Sequence, residues 1–331
     1  MSTYKEISGN TVQYLSSDPP ASHTGQVWYN TSTNQLKFNN GTPRVAWVSK
    51  AQNPIEQNFG AYSSNGTTDG MMYGIQSKYT SVWDGTVWTT GNPINVSQTI
   101  YPRYGSGGAG GATTEALSFG GYYSPNLTAY TEKWNGTTWT SVNTMPEGKF
   151  GVGGTGESST AAIAVAGYSG IPTPSNFTLS STTYTWNGSN WSVPGANVTR
   201  GNVAYATVFG PSGASLLASG SVSSSTTELW NGSTWTSNPA TMTYNVKSRG
   251  GGGTQTSGIL CGGYSNANNK AETWNGSTWA STVNMISQLT DQDPGVFGGS
   301  STTAFASGGP SSRTPANSIE LQTVGGATVL E

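Results

Sequence analysis

Trp134-Asn135-Gly136-Thr137-Thr138-Trp139 is one of five copies of a cassette in which two tryptophans flank Asn-Gly or Asp-Gly and two further residues. The other copies begin at Trp83, Trp186, Trp230 and Trp274 and end at Trp88, Trp191, Trp235 and Trp279, so the cassettes hold ten of the 12 tryptophans. The first Trp recurs after 51, 52, 44 and 44 residues. Self-similarity at such a period marks a repeat architecture. Asn-Gly between alternating apolar runs is the strongest short-range hairpin signal, because both residues tolerate the positive φ of a primed turn. Whether Asn135-Gly136 alone turns the chain or a four-residue loop does, the two tryptophans share a face. Burying roughly 200 Å² of indole at about 25 cal/mol per Å² stabilises by at most ~5 kcal/mol per Trp. The tryptophans therefore read as cement between units, and their regular placement argues against a row of ligand platforms.

A second marker has the same period. A small-residue pair ending in Gly follows a short apolar run at Gly74, Gly121, Gly167, Gly220, Gly263 and Gly309, which gives six units. In the sixth, Gln322 stands where the first Trp would be, and the third carries extra residues at 171–181, including two prolines, that read as a loop insertion. Within the second unit, residues 104–110, 116–119, 130–134 and 139–142 read as four short strands. Four-stranded antiparallel units repeating every 40 to 50 residues describe the blades of a β-propeller, which leaves only short sheet edges.

The marker details resemble the kelch family. An apolar strand ends in Gly-Gly (Phe119-Gly120-Gly121, Cys261-Gly262-Gly263), Glu-x-aromatic follows (Glu132-Lys133-Trp134, Glu228-Leu229-Trp230, Glu272-Thr273-Trp274), and Trp comes five residues later. Basic residues open the following units (Arg103, Lys149, Arg200). The resemblance covers residues 51–331 and departs at Tyr73-Gly74, Ser81 and Ser219-Gly220. It implies an all-β, six-bladed kelch-like propeller over 51–331, beside a small β-meander module over 1–50.

Composition bounds the function. Charged residues are 8% of the chain and the formal net charge is −2, so no basic stripe exists for nucleic acid. No stretch approaches eighteen apolar residues, and the start Met-Ser-Thr-Tyr-Lys-Glu lacks the form of a secretory signal. The Asn-x-Ser/Thr sequons coincide with the cassette turns, whose chemistry explains them. Cys261 is the single cysteine, so no intramolecular disulfide forms, and its apolar strand points to an inert buried thiol.

In the N-terminal fifty residues, Gly25-Gln26-Val27-Trp28-Tyr29-Asn30-Thr31 opens a hairpin that is closed by Asn40-Gly41 and Val45-Ala46-Trp47-Val48. This resembles a small module near the ends of bacteriophage tail-fibre and other virion proteins. With the charge-poor propeller it resembles structural proteins of tailed phages, especially those of cyanobacteria. The resemblance implies a virion location, attachment to other virion proteins through Trp28, Tyr29 and Trp47, and self-association as a further option. A second reading stays open: Trp47 supplies an outermost strand that closes the ring against residues 320–323, in competition with 328–330.

Chemistry is scarce. His23 is the single histidine, so a copper or zinc centre and a Ser-His-acid triad lack ligands. Glu132, Glu228, Glu272 and Glu320 share one repeat position and read as hydrogen-bonding to a neighbouring blade rather than as a glycosidase pair. Asp291 and Asp293 read as solvated loop charge, and Asp84-Gly85-Thr86-Val87-Trp88 is one residue short of a sialidase aspartate box. Binding through loops remains: Tyr122, Tyr123, Tyr168, Phe177 and Tyr264 gather on the face opposite the Asn-Gly hairpins, as platforms for a host-surface glycan or protein. The expectation is a non-enzymatic virion protein without cofactors. The alternative is a soluble carbohydrate-binding or carbohydrate-active propeller.

Overall fold

The structure, a computed structural model, describes residues 12–19, 26–39, 44–55, 61–64, 66–74, 79–95, 103–123, 126–170, 177–194, 196–221, 225–245, 248–263, 269–286, 295–297, 300, 302–308, 317–324 and 327–329. Its described regular structure is β throughout, with no helix. The chain forms two compact units, Met1–Ala46 with Gln322–Glu331, and Trp47–Leu321.

The larger unit is built from four-stranded antiparallel sheets. The first comprises Ala61–Ser64, Gly70–Tyr73, Thr80–Trp83 and Trp88–Gly91, the second Gly107–Ala112, Glu115–Phe119, Thr131–Trp134 and Trp139–Val142. The third comprises Gly153–Ser158, Ala161–Val165, Thr183–Trp186 and Trp191–Ser192, and the fourth Thr207–Phe209, Leu216–Ala218, Thr226–Trp230 and Trp235–Thr241. Gly250–Gly253, Gly258–Cys261, Ala271–Trp274 and Trp279–Ser281 make the fifth. A further sheet orders Gly295–Phe297, Ala304–Gly308, Asn317–Val324 and then Arg44–Ser49. Its outermost strand thus comes from before the first repeat, which favours the second reading of Trp47. The competing C-terminal strand, Ala327–Val329, pairs instead with Gln35–Asn39. The first strands of successive sheets touch in sequence, and Gly295–Phe297 touches Ala61–Ser64, closing the cycle.

The cassettes explain how sheets join. Each turn is a four-residue loop in which the Asn or Asp side chain accepts two backbone N–H groups, as Asn135 does from Thr137 (2.9 Å) and Thr138 (2.8 Å). The paired indoles lie 5.2 to 5.4 Å apart, tilted. Their two N–H groups have different tasks. The first Trp donates within its own sheet, to the carbonyl of the turn between strands one and two: Trp134 to Thr113 (2.7 Å), Trp186 to Ser159 (3.1 Å) and Trp230 to Ser212 (2.9 Å). The second reaches the preceding sheet, where it donates to a buried threonine hydroxyl: Trp139 to Thr80, Trp191 to Thr131, Trp235 to Thr183 and Trp279 to Thr227, at 2.8 to 2.9 Å. Trp47 follows the same rule with one change. The fifth sheet has Ala271 in place of that threonine, and Trp47 donates to the Val283 carbonyl at 3.0 Å.

The repeated glutamates bond to the connections that run from the preceding sheet into their own. Glu228 accepts from Thr199 N (2.6 Å), Arg200 N (3.0 Å) and Arg200 Nε (2.8 Å). Arg200 in turn donates to the carbonyls of Leu217 and Thr226. Arg249 with Glu272, and Arg103 with Glu132, repeat the pair in the fifth and second sheets, all fully buried or nearly so. Each basic residue lies in the segment leading into its sheet, whose backbone N–H groups already meet the glutamate, so a guanidinium from the same segment pairs with it and reaches the neighbouring strand carbonyls. The first sheet replaces the pair with Asn53 and Ser81, bonded at 2.9 Å. The Glu320 side chain, Gly309, His23, Asp291 and Asp293 lie outside the described residues.

Two glycines show why small residues are required. Gly121 has φ +108°, and a Cβ there would stand 2.5 Å from Arg103 Cγ, so the second glycine of the marker clears the arginine's path. A Cβ at Gly154 would stand 2.6 Å from Gly108 N and 2.7 Å from Gly108 O, because the first strands of neighbouring sheets approach backbone to backbone. Gly154→Val therefore forces those strands apart and is expected to cost about 3 kcal/mol or more, read as a lowered urea midpoint. An unchanged midpoint contradicts the close approach.

The smaller unit is a four-stranded sheet ordered Gln13–Leu15, Val27–Asn30, Gln35–Asn39 and Ala327–Val329, with the first pair parallel. The expected hairpin is present, turned by Asn30, which accepts the N–H groups of Ser32 and Thr33. The expected third strand of the meander, around Trp47, belongs to the larger unit instead. The boundary thus falls at residue 47 rather than 51, and the last ten residues return to the first unit.

Candidate functional site

Between strands two and three of the second sheet stands a small hairpin, Tyr122–Tyr123 with Asn126–Leu127, and the third sheet carries its counterpart, Tyr168–Ser169 with Thr178–Leu179. Each is tied down by a reciprocal backbone pair: Tyr122 with Tyr104 (2.9 and 2.8 Å) and Tyr168 with Phe150 (3.0 and 2.7 Å). A further run of bonds, Gly151 N to Gly105 O (2.8 Å) and Tyr205 N to Gly151 O (2.7 Å), links the lead-in segments of three successive sheets.

These ties gather five rings. Phe150 is the hub, 5.5 Å from Tyr122, 5.8 Å from Tyr168, 5.4 Å from Tyr205 and 6.2 Å from Phe177. Phe177 also meets Tyr122 edge-on at 5.8 Å. Tyr122, Phe150, Tyr168 and Phe177 remain partly exposed, while Tyr205 is buried and holds φ +51°, a left-handed conformation uncommon for an aromatic residue. Three of the five expected loop aromatics, Tyr122, Tyr168 and Phe177, are thus brought together. Tyr123 lies beside Tyr130 instead; burial and then the neighbouring phenol raise its pKa. Tyr264 lies outside the described residues. Phe150 and Tyr205 were hidden in the sequence because they sit in lead-in segments rather than loops. The signal that could have found Phe150 is its position directly after the basic opener Lys149.

Near the cluster, Lys149 is buried, with its ammonium 2.8 Å from Glu147 and donating to Ser180 Oγ at 2.7 Å. Tyr184 occupies the repeat position held by glutamate elsewhere and donates to Glu147 at 2.6 Å. Burial lowers the Lys149 pKa and Glu147 opposes it. For Glu147 burial acts upward, but the bonds from Lys149 and Tyr184 outweigh it and hold the carboxyl below its usual value. Burial pushes the Cys261 thiol up to about 12, with Arg249 opposing, so it stays protonated and unreactive. Among the described residues no group of three His, Cys, Asp or Glu side chains is placed to hold a metal ion.

In the smaller unit the attachment candidates separate onto opposite faces. Trp28 is fully buried and donates to Asp18 at 3.1 Å, while Tyr29 packs 5.3 Å from Tyr14, itself 73% exposed. Trp47, the third candidate, is a ring-closing residue of the larger unit. Asp18, which no strand or turn pattern singles out in the sequence, organises this sheet, accepting from Trp28, Asn30 (2.9 Å) and Lys37 (2.8 Å). Burial alone would raise its pKa, but the bonds from Lys37, Asn30 and Trp28 prevail and lower it. A lowered folded-state pKa means that stability is present above the unfolded value of about 4 and lost as pH falls through the folded one. Asp18→Asn is expected to remove that acid sensitivity from the smaller unit. At neutral pH it should cost about 1 kcal/mol, a figure kept low because the Asp18 side chain is 37% exposed. Thermal scans of both proteins between pH 7 and 2 read this; parallel pH profiles refute it.

No protein-family model matches the chain, and no curated protein matches it significantly. Among solved structures it is similar to one described as "Structure of YjhT", at 13% identity and a TM-score of 0.63, over 85% of this chain and 99% of that one. That likeness speaks for the fold alone, and the chain has a β-propeller-like, all-β fold.

Proposed function

We propose that the chain is a non-enzymatic structural protein of a tailed-phage virion. In this reading the repeats form a six-bladed kelch-like propeller displayed at the particle surface, and the smaller unit attaches it to other virion proteins. Recognition of a host-surface glycan or protein falls to the aromatic cluster. The observation that carries the reading is that cluster: five rings from three separate repeats, four of them partly exposed, held by backbone bonds on one face of a rigid ring. Exposed aromatics fixed at low entropic cost are effective binding anchors. The near-neutral surface and the virion-type residues around Trp28 support the location.

Two measurements test it. Antibody against the chain is expected to decorate purified virions in electron micrographs, and a virion preparation free of the protein refutes the location. The full-length protein is expected to bind the cells that the virion infects, and the double variant Tyr122→Ser/Phe177→Ser to bind them at least about tenfold more weakly. Undiminished binding by a folded double variant removes the cluster from the recognition role.

A further inference from the structure

The first strands surround an axial channel. Tyr62 crosses it: the phenol, on the first sheet, donates to the Gly251 carbonyl of the fifth sheet at 3.0 Å. That bar divides the channel into a funnel of about 350 Å³ on the side of the cassette hairpins and a constriction of about 40 Å³ on the other, and Tyr62 lines both. The larger volume lies at the lower end of small-molecule sites, whereas the smaller has room for about one water.

Three properties of the funnel select a ligand. Its walls combine glycine backbone on three first strands, around Gly108, Gly154 and Gly251, with the mostly small or apolar side chains of Ser63, Val208 and Phe209. The strands that carry them are terminal in their sheets, so one edge of each has no strand partner; of the lining carbonyls Gly251 accepts from Tyr62 and Gly210 from Thr155 Oγ1 (2.7 Å), and the edge otherwise presents backbone N–H and C=O groups. The floor is the Tyr62 ring. Among the described residues the rim carries one carboxylate, Glu157, held by Ser212 N (2.7 Å) and Ser212 Oγ (3.1 Å), and no cationic side chain lines the funnel. An apolar ligand would leave the edge groups unsatisfied. An anion would find no cation and would meet Glu157. A ligand rich in hydroxyls satisfies donors and acceptors alike and can lay its C–H face on the tyrosine.

From this geometry we infer that the axial funnel is a binding site for a neutral saccharide, with the Tyr62 ring as its stacking floor. The site is separate from the aromatic cluster, on the opposite face.

The test is saturation-transfer NMR of the full chain with D-glucose, D-galactose, N-acetyl-D-glucosamine and their β-linked dimers at about 50 mM, a range that detects millimolar affinity. N-acetylneuraminate and glucose 6-phosphate serve as anionic controls. Transfer to at least one neutral saccharide and to neither anion is expected. Tyr62→Phe keeps the ring and should hold affinity within about threefold, whereas Tyr62→Leu should lose about tenfold or more. Thr254→Trp, at the exposed rim, blocks entry without touching the floor and gives the same loss should Tyr62→Leu fail to fold. Tyr122→Ser/Phe177→Ser should bind as the parent does, which separates this site from the cluster. Silence from every neutral saccharide, preference for an anion, or binding indifferent to both funnel variants overturns the inference.

Discussion

Arg249→Met is expected to destabilise the larger unit by about 3–5 kcal/mol, because it strands a carboxylate with no access to water. Both partners of the Arg249 and Glu272 pair are fully buried. Arg249 also donates to the carbonyls of Leu260 (3.1 Å) and Lys270 (3.2 Å), so its loss removes two further hydrogen bonds. Glu272 keeps two backbone donors, Thr243 N at 2.6 Å and Tyr244 N at 3.1 Å, which partly sustain its charge. The double variant Arg249→Met/Glu272→Gln removes both charges while leaving an amide oxygen for those donors. It should therefore recover at least about 1 kcal/mol relative to Arg249→Met alone, a coupling that a double-mutant cycle in urea isolates. Additive losses would mean that the two side chains act independently.

Trp47→Ala should be comparably severe, about 3–5 kcal/mol, for a different reason. The indole is 5% exposed and its N–H joins the strand Arg44–Ser49 to Val283 of the fifth sheet. Truncation removes packing from a sheet whose outermost strand is distant in sequence from its other three, and a loosened strand uncovers the edge of Asn317–Val324. Trp47→Phe keeps most of the packing and loses the hydrogen bond, so about 1 kcal/mol plus a modest volume term is expected. The unit affected distinguishes the readings of this residue. Calorimetry should show the Trp47→Ala loss in the transition of the larger unit, whereas Asp18→Asn acts on the smaller one. A Trp47→Ala effect confined to the smaller unit would return Trp47 to an attachment role.

The repeats were legible because one cassette carries several constraints at once. Asn135 caps its own turn, Gly136 permits the left-handed backbone at φ +93°, and the flanking indoles must share a face. The Gly-Gly marker was legible for a similar reason, since Gly121 alone clears Arg103. Partners across the fold were harder to read. Equal repeat positions show that Glu132, Glu228 and Glu272 are equivalent but not what each faces, which for Glu228 and Glu272 is the connection leading in from the preceding sheet. The same limit applied to Trp47, which stands nearly 240 residues from Val283 in sequence while completing the pattern of Trp139 and Trp191 in space. Phe150 and Tyr205 carry no periodic signal of their own. Their place in the cluster follows from the backbone ties through Gly105 and Gly151.

Closure of the ring by the N-terminal strand can be read directly from hydrogen exchange at the indole N–H of Trp47, followed by ¹⁵N-labelled tryptophan NMR. The strand pairing and the bond to Val283 require Trp47 to exchange as slowly as Trp139, Trp191, Trp235 and Trp279, which bridge the other sheets in the same manner. Exchange of Trp47 at the rate of a frayed terminus, while those four remain protected, would contradict closure at Arg44–Ser49.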